Sequence, residues 1–90
     1  MDKYGLIGYP LGHSFSMSYF NEKFKSENID AEYINFEIPR IEALAEVVNT
    51  NLNLRGLNVT IPYKEKVMDY LDYISPEARA IGAVNVIRVE

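Results

Sequence analysis

Residues 56–64 read Gly-Leu-Asn-Val-Thr-Ile-Pro-Tyr-Lys, and this stretch decides how the rest of the chain is organised. Apolar and polar residues alternate from position 57 to 61, which predicts a strand with one apolar face formed by Leu57, Val59 and Ile61. Pro62 should end the strand, because it lacks the N–H that a sheet needs, and it suits the start of a helix. Lys64 is therefore expected at the carboxyl end of a strand, where open α/β sheets bind ligands.

Three polar side chains of this stretch, Asn58, Thr60 and Lys64, offer an amide, a hydroxyl and an ammonium group. Together they would suit a small ligand that carries several hydroxyl groups. The same residues also have an ordinary explanation, since polar groups on a strand are often only solvated and a lysine in a first helical turn is often only a surface charge. Spacing alone leaves both interpretations open and names no reaction.

Length and composition indicate one small globular domain. The chain has 90 residues, of which 48% are hydrophobic and 24% charged, and a formal net charge of −4. There is no basic stripe, which argues against nucleic acid as a partner. The lack of cysteine and the single histidine argue against a disulfide framework and against a metal site. Without a membrane-length apolar run or a signal-peptide pattern, we expect no membrane contact and a cytoplasmic protein.

Strand and helix patterns alternate along the chain in the order β-α-β-α-β-α-α-β. The predicted strands cover residues 4–7, 33–38, 57–61 and 83–89, and the predicted helices cover 16–26, 41–49, 64–71 and 76–81. This order predicts an α/β fold, a mainly parallel β-sheet flanked by helices in a three-layer sandwich. The clean alternation of strand 33–38 places it near a sheet edge. The last strand could run in either direction.

Two of the predicted helices rest on specific residues, the second on an apolar stripe and the last on its caps. The stripe of the second helix has the spacing i, i+3, i+4, i+7 and consists of Ile41, Leu44, Ala45 and Val48. The last helix should have Ser75 as its N-cap and Pro76 at its first position, and Gly82 should end it.

Two further clusters carry polar groups. The loop 8–16, Gly-Tyr-Pro-Leu-Gly-His-Ser-Phe-Ser, lacks both common phosphate-binding patterns. Ser14 and Ser16 could converge on a carboxylate, or they could merely cap the following helix, with Ser16 as its N-cap. Asn85 lies among apolar residues at the start of the last strand, so its amide needs either backbone partners or a ligand.

Taken together, the chain resembles the N-terminal, substrate-binding domain of shikimate dehydrogenase. The resemblance rests on G-Y-P-L-G-H-S-F-S at 8–16, G-L-N-V-T-I-P-Y-K at 56–64 and I-G-A-V-N at 81–85. It extends over residues 1–90, in order and with natural spacing. It implies that Ser14 and Ser16 bind a substrate carboxylate, and that ring hydroxyls are held by Asn58 or Thr60 together with Asn85.

The same resemblance implies an activity, the NADP-dependent reduction of 3-dehydroshikimate to shikimate on the route to chorismate and aromatic amino acids. Lys64 would be the catalytic lysine, working with an aspartate on proton transfer. That aspartate and the Rossmann domain that binds NADP would lie beyond residue 90. An isolated domain would then be inactive, and it could self-associate through the edge of strand 83–89.

Two other interpretations stay open. The chain could be a stand-alone module that binds a small hydroxy-acid without turnover. It could also belong to a relative that accepts quinate as well as shikimate, although the two serines of loop 8–16 favour shikimate.

Overall fold

The computed structural model describes residues 1–12 and 15–89, and Ser14, a predicted site residue, lies outside them. The described residues form four strands: β1 (Asp2–Gly8), β2 (Ala31–Glu37), β3 (Leu54–Val59) and β4 (Val86–Arg88). They also form three α-helices, α1 (Phe15–Ser26), α2 (Leu44–Thr50) and α3 (Pro76–Ile81), and two 3-10 helices, Ile41–Ala43 and Lys66–Tyr70. Within this part of the chain, no helix is both long and apolar enough to cross a bilayer.

The four strands form one sheet in the order β2-β1-β3-β4. β1 pairs in parallel with both β2 and β3, whereas β4 pairs antiparallel with β3. The direction of the last strand, which the sequence leaves open, is therefore antiparallel. The predicted edge position of β2 is confirmed. As a result, the carboxyl ends of β1 and β3 and the beginning of β4 all lie at one edge of the sheet. This edge is formed by the ends of strands and not by an outer strand.

Helices cover both faces of this sheet, which confirms the three-layer α/β architecture. On one face, the Phe20 and Phe24 rings of α1 lie 4.8 Å from Tyr33 and 5.9 Å from Tyr4, measured between centroids. The opposite face carries the main core against α2 and the 3-10 helices. This core comprises Ile7, Ile38, Ile41, Leu44, Leu54, Leu57, Val59, Tyr63, Val67 and Val84.

The third strand is displaced from its predicted limits of 57–61, because β3 covers Leu54–Val59 and ends before Thr60. The Thr60 N–H still donates to the Ile7 carbonyl at 2.9 Å, but the Tyr63 N–H then turns back to the Thr60 carbonyl at 3.0 Å. Ile61 lies in this turn with 74% of its surface exposed. Its assignment to the apolar strand face was wrong, since the turn rotates it out of the core.

Helical segments also differ in detail from their predicted forms. The second helix begins as the 3-10 turn Ile41–Ala43, and the third is only the 3-10 helix Lys66–Tyr70. A 3-10 turn has three residues rather than 3.6, so it shifts the apolar stripe that follows. Ala45 is accordingly exposed, and Val47 packs against the core instead.

The start of the first helix and both ends of the last helix can be compared with their predicted caps. α1 begins at Phe15, so Ser16 lies within its first turn and is not the N-cap. For α3 the predicted caps are confirmed. The Ala78 N–H donates to the Ser75 hydroxyl at 3.2 Å, and Gly82 ends the helix with φ at 81°.

The last strand is shorter than predicted, since only Val86–Arg88 of residues 83–89 are in the strand. The preceding residues form other contacts, such as the hydrogen bond from the Val84 N–H to the Lys64 carbonyl. β4 does lie at a sheet edge, and self-association through that edge stays a prediction.

Ile7 provides a test of the core, because it is fully buried in β1. Ile7→Val should lower the free energy of unfolding by about 0.5–1.5 kcal/mol and Ile7→Ala by about 2–5 kcal/mol. Leu52→Ala is the control, since Leu52 is 90% exposed and should have almost no effect. Urea denaturation measures all three, and equal effects of Ile7→Ala and Leu52→Ala would contradict this core.

Candidate functional site

The predicted site segments meet at the edge of the sheet where β1 and β3 end and β4 begins. The end of β1 contacts the end of β3 through two hydrogen bonds, Thr60 N–H to the Ile7 carbonyl at 2.9 Å and Tyr9 N–H to the Ile61 carbonyl at 3.1 Å. Gly8 permits this approach, because a Cβ there would lie 2.5 Å from Thr60 Cγ2. The loop after β1 is therefore held against the residues that follow β3.

Lys64 and Asn85 are brought together by backbone hydrogen bonds. The Val84 N–H donates to the Lys64 carbonyl at 2.8 Å, and the Val59 N–H donates to the Asn85 carbonyl at 2.7 Å. Both bonds involve the segment that leads into β4, and they join it to the end of β3 and to the turn that follows. The Lys64 and Asn85 side chains are exposed, and neither forms an ion pair or hydrogen bond within the described residues. Both side chains are available to a ligand at this edge.

Tyr63 anchors the turn that carries Thr60 and Lys64. Its hydroxyl donates to the Ile38 carbonyl, which is a buried contact, and the residue is only 2% exposed. Its backbone carbonyl accepts from the Val67 N–H at 2.9 Å, which joins the turn to the next 3-10 helix. Burial raises the pKa of the Tyr63 phenol, and the nearby Glu42 carboxylate and Tyr9 add to the rise. The phenol therefore stays protonated at neutral pH and keeps its hydrogen bond.

The loop before α1 is held by Glu37, the last residue of β2. One oxygen of its carboxylate accepts hydrogen bonds from the N–H groups of Leu11 and Gly12, the latter at 3.4 Å. Ser16 follows in the first turn of α1 and is partly buried. The Glu37 contacts were not predicted, although a polar residue at the carboxyl end of a parallel strand is a signal that could have indicated them.

Asn58 differs from the other predicted site residues that the structure describes, because its amide already has a partner in the protein. The Asn58 Nδ2 donates to the Tyr33 hydroxyl at 2.8 Å, on the sheet face that α1 covers. Tyr33 is 3% exposed. Burial raises its pKa, and the hydrogen bond from Asn58 opposes part of that rise. Asn58 therefore lies on the α1 face of the sheet and is partly fixed before any ligand binds.

Asn35 is a second polar residue on that face, paired in register with Leu6, whose other partner is Asn58. Its Oδ1 is buried, and it has no hydrogen-bond partner in the part of the chain that the structure describes. Sequence reasoning placed Asn35 on a polar strand face but did not identify it as a site residue. A nearby groove of about 350 Å³ includes Asn58 but not Ser16, Thr60, Lys64 or Asn85.

Taken together, the fold and the site define a class of protein. It is an α/β domain whose polar side chains gather at the carboxyl ends of parallel strands, the position where such sheets bind small ligands. No cluster of three or more His, Cys, Asp or Glu side chains that could hold a metal ion occurs within residues 1–12 and 15–89.

Comparison with known proteins identifies the family. Residues 6–87 match the model described as the shikimate dehydrogenase substrate binding domain. The chain is 50% identical over 88 residues to shikimate dehydrogenase (NADP(+)) of Dictyoglomus thermophilum, a match that covers 97% of this chain and 32% of that protein. The chain belongs to the shikimate dehydrogenase substrate-binding domain family.

Solved structures agree with this assignment. The crystal structure of shikimate dehydrogenase 1 from Peptoclostridium difficile matches with a TM-score of 0.90 and 46% identity, over 100% of this chain and 35% of that one. The Thermus thermophilus enzyme in complex with shikimate matches with a TM-score of 0.85 and 34% identity, over 98% of this chain and 34% of that one. The chain thus spans about a third of the length of these relatives.

Tyr63→Phe tests whether the hydrogen bond from the Tyr63 hydroxyl to the Ile38 carbonyl anchors the turn that carries Thr60 and Lys64. It should lower the free energy of unfolding by about 1–3 kcal/mol, because the buried Ile38 carbonyl loses its partner. The wild-type chain should also lose stability above about pH 10, since the unfolded chain releases the Tyr63 proton near 10.0 while the folded chain retains it to higher pH. In Tyr63→Phe, the free energy of unfolding should fall less than in the wild-type chain as the pH rises.

Urea denaturation at neutral pH and at about pH 11 measures both effects. Tyr73→Phe is the matched control, because Tyr73 is 75% exposed and should change neither quantity. An alkaline loss as large in Tyr63→Phe as in the wild type would assign the titration to another group.

Proposed function

We propose that this chain binds shikimate and 3-dehydroshikimate as the substrate-binding part of an NADP-dependent shikimate dehydrogenase. The observation that carries the proposal is the pair of backbone hydrogen bonds, at 2.8 and 2.7 Å, that joins Lys64 and Asn85 to one edge of the sheet. These residues come from two segments separated in sequence. The loop that follows β1 approaches the same edge, where the Tyr9 N–H donates to the Ile61 carbonyl at 3.1 Å. Family membership and the relative crystallised with shikimate support the choice of ligand.

Substrate binding is assigned to five polar residues. Ser14 and Ser16 donate hydrogen bonds to the substrate carboxylate, an interaction strengthened by the negative charge of the acceptor. Ring hydroxyls are bound by Thr60, Asn58 and Asn85. Thr60 begins the turn that leads to Lys64, and the Asn85 carbonyl accepts from the Val59 N–H at the end of β3. Asn58 lies one residue before that end. The polar set matches a ligand with one carboxylate and several hydroxyl groups.

Lys64 is assigned the catalytic role. When the carbonyl of 3-dehydroshikimate is reduced, its oxygen gains negative charge as hydride reaches the carbon. An ammonium group beside that oxygen stabilises the charge, and it can donate the proton that completes the hydroxyl. The exposed Lys64 side chain has no partner among the described residues that would compete with this role.

In this proposal, the hydride donor and the aspartate that assists Lys64 belong to regions of the enzyme outside residues 1–90. NADPH, bound by a separate Rossmann domain, would supply the hydride and leave as NADP+, and an aspartate outside residues 1–90 would assist Lys64. The names of relatives such as shikimate dehydrogenase (NADP(+)) of Dictyoglomus thermophilum support this cofactor. Residues 1–90 form the substrate domain, and the enzyme acts in the cytoplasm.

A titration of the 90-residue chain with shikimate tests the binding assignment. Backbone amide signals of residues 14–16, 58–61, 63, 64 and 85 should shift, and NADP should shift none of them. Ser16→Ala should raise the Kd for shikimate by about tenfold or more, because it removes a hydrogen bond to a charged group worth about 1.5–3 kcal/mol. Ser18→Ala on the exposed side of α1 is the matched control and should leave the Kd unchanged.

Lys64→Ala tests the catalytic assignment in a form of the enzyme that includes the dinucleotide-binding domain. The value of kcat should fall by about 100-fold or more with a smaller change in KM, since the ammonium acts mainly on charge in the transition state. Lys66→Ala is the control, because Lys66 is an exposed lysine two residues further along the chain. A raised KM with unchanged kcat would make Lys64 a binding residue and contradict its catalytic role.

A further inference from the structure

Tyr33 is held by contacts to both its ring and its backbone. Its ring is stacked on Phe20 of α1 at 4.8 Å between centroids, and only 3% of its surface is exposed. The Asn21 side chain clamps its backbone, accepting from the Tyr33 N–H at 2.8 Å and donating to the Tyr33 carbonyl at 2.9 Å. The Tyr33 hydroxyl therefore occupies a defined position, which a loosely held phenol would not.

That hydroxyl reaches across the sheet to Asn58. Tyr33 lies on β2 and Asn58 on β3, and β1 runs between them, so the 2.8 Å hydrogen bond joins two strands that are not neighbours. The bond uses one N–H of the Asn58 amide. The other N–H and the amide oxygen form no hydrogen bond within the described residues, so they remain for a ligand.

We propose that Tyr33 is a positioning residue for the substrate site, whose hydroxyl orients the Asn58 amide so that its oxygen accepts a hydrogen bond from a ring hydroxyl of the substrate. This inference rests on the proposed function, in which Asn58 contacts shikimate. Tyr33 itself is buried under α1, with 3% of its surface exposed, and is given no direct contact with the substrate in this proposal. Its effect on binding comes through Asn58, because an amide already held by one hydrogen bond loses less freedom when the ligand binds.

A double-mutant cycle in the 90-residue chain tests the proposal, with the Kd for shikimate measured by amide shift titration. Tyr33→Phe keeps the stacked ring and removes the hydroxyl, and it should raise the Kd by about 2- to 10-fold, the range for one neutral hydrogen bond. Asn58→Ala should also weaken binding. In the Asn58→Ala background, Tyr33→Phe should have no further effect, since the group through which it acts is gone.

Tyr4→Phe is the matched control, because Tyr4 lies on the same face with its ring against Phe24 and its hydroxyl forms no hydrogen bond within the described residues. It should leave the Kd unchanged. A second readout is the side-chain amide signal of Asn58 without ligand, which should shift and exchange faster with water in Tyr33→Phe but not in Tyr4→Phe.

The outcomes separate this proposal from the proposed function. Failure of the wild-type chain to bind shikimate would overturn the proposed function and the substrate role of Asn58 with it. Normal wild-type binding with an unchanged Kd in Tyr33→Phe, or equal effects of Tyr33→Phe with and without Asn58, would overturn only the positioning role. An Asn58 amide signal unaffected by Tyr33→Phe would overturn it as well.

Discussion

The hydrogen bond from the Val84 N–H to the Lys64 carbonyl, at 2.8 Å, is the contact on which the proposed site depends. It joins the turn after β3 to the segment that enters β4, and β4 is the only one of the four described strands that runs against its neighbour. A parallel β4 would start at the opposite edge of the sheet, about 20 Å away for a strand of six residues. Asn85 would then be remote from Lys64, and the two could not share a ligand.

Much of the fold could be predicted because local patterns and global packing agree in this chain. The Ser75-Pro76 start and the Gly82 end of α3 are specified by single residues whose caps form as expected. The alternation in β2 identified an edge strand, and the order of elements was sufficient to predict a mainly parallel sheet. The meeting of the predicted site segments at one edge follows from the same rule, since parallel strands end together.

What could not be predicted depends on turns and on contacts between distant residues. Ile61 continues the strand pattern in sequence, but the turn from Thr60 to Tyr63 takes precedence over the alternation and exposes it. The 3-10 start of the second helix shifts its stripe from Ala45 to Val47 in the same way. The Tyr33–Asn58 bond skips a strand, and no local pattern encodes a contact across a strand that lies between its partners.

The Asn21 clamp on Tyr33 also restricts how copies of this domain can add to one another. At the β2 border of the sheet, an incoming chain would have to displace an amide that already occupies the N–H and carbonyl of Tyr33. Strand addition at Tyr33 would therefore have to break two hydrogen bonds before it could form any of its own. The clamp thereby protects this position of the β2 border against pairing with another chain.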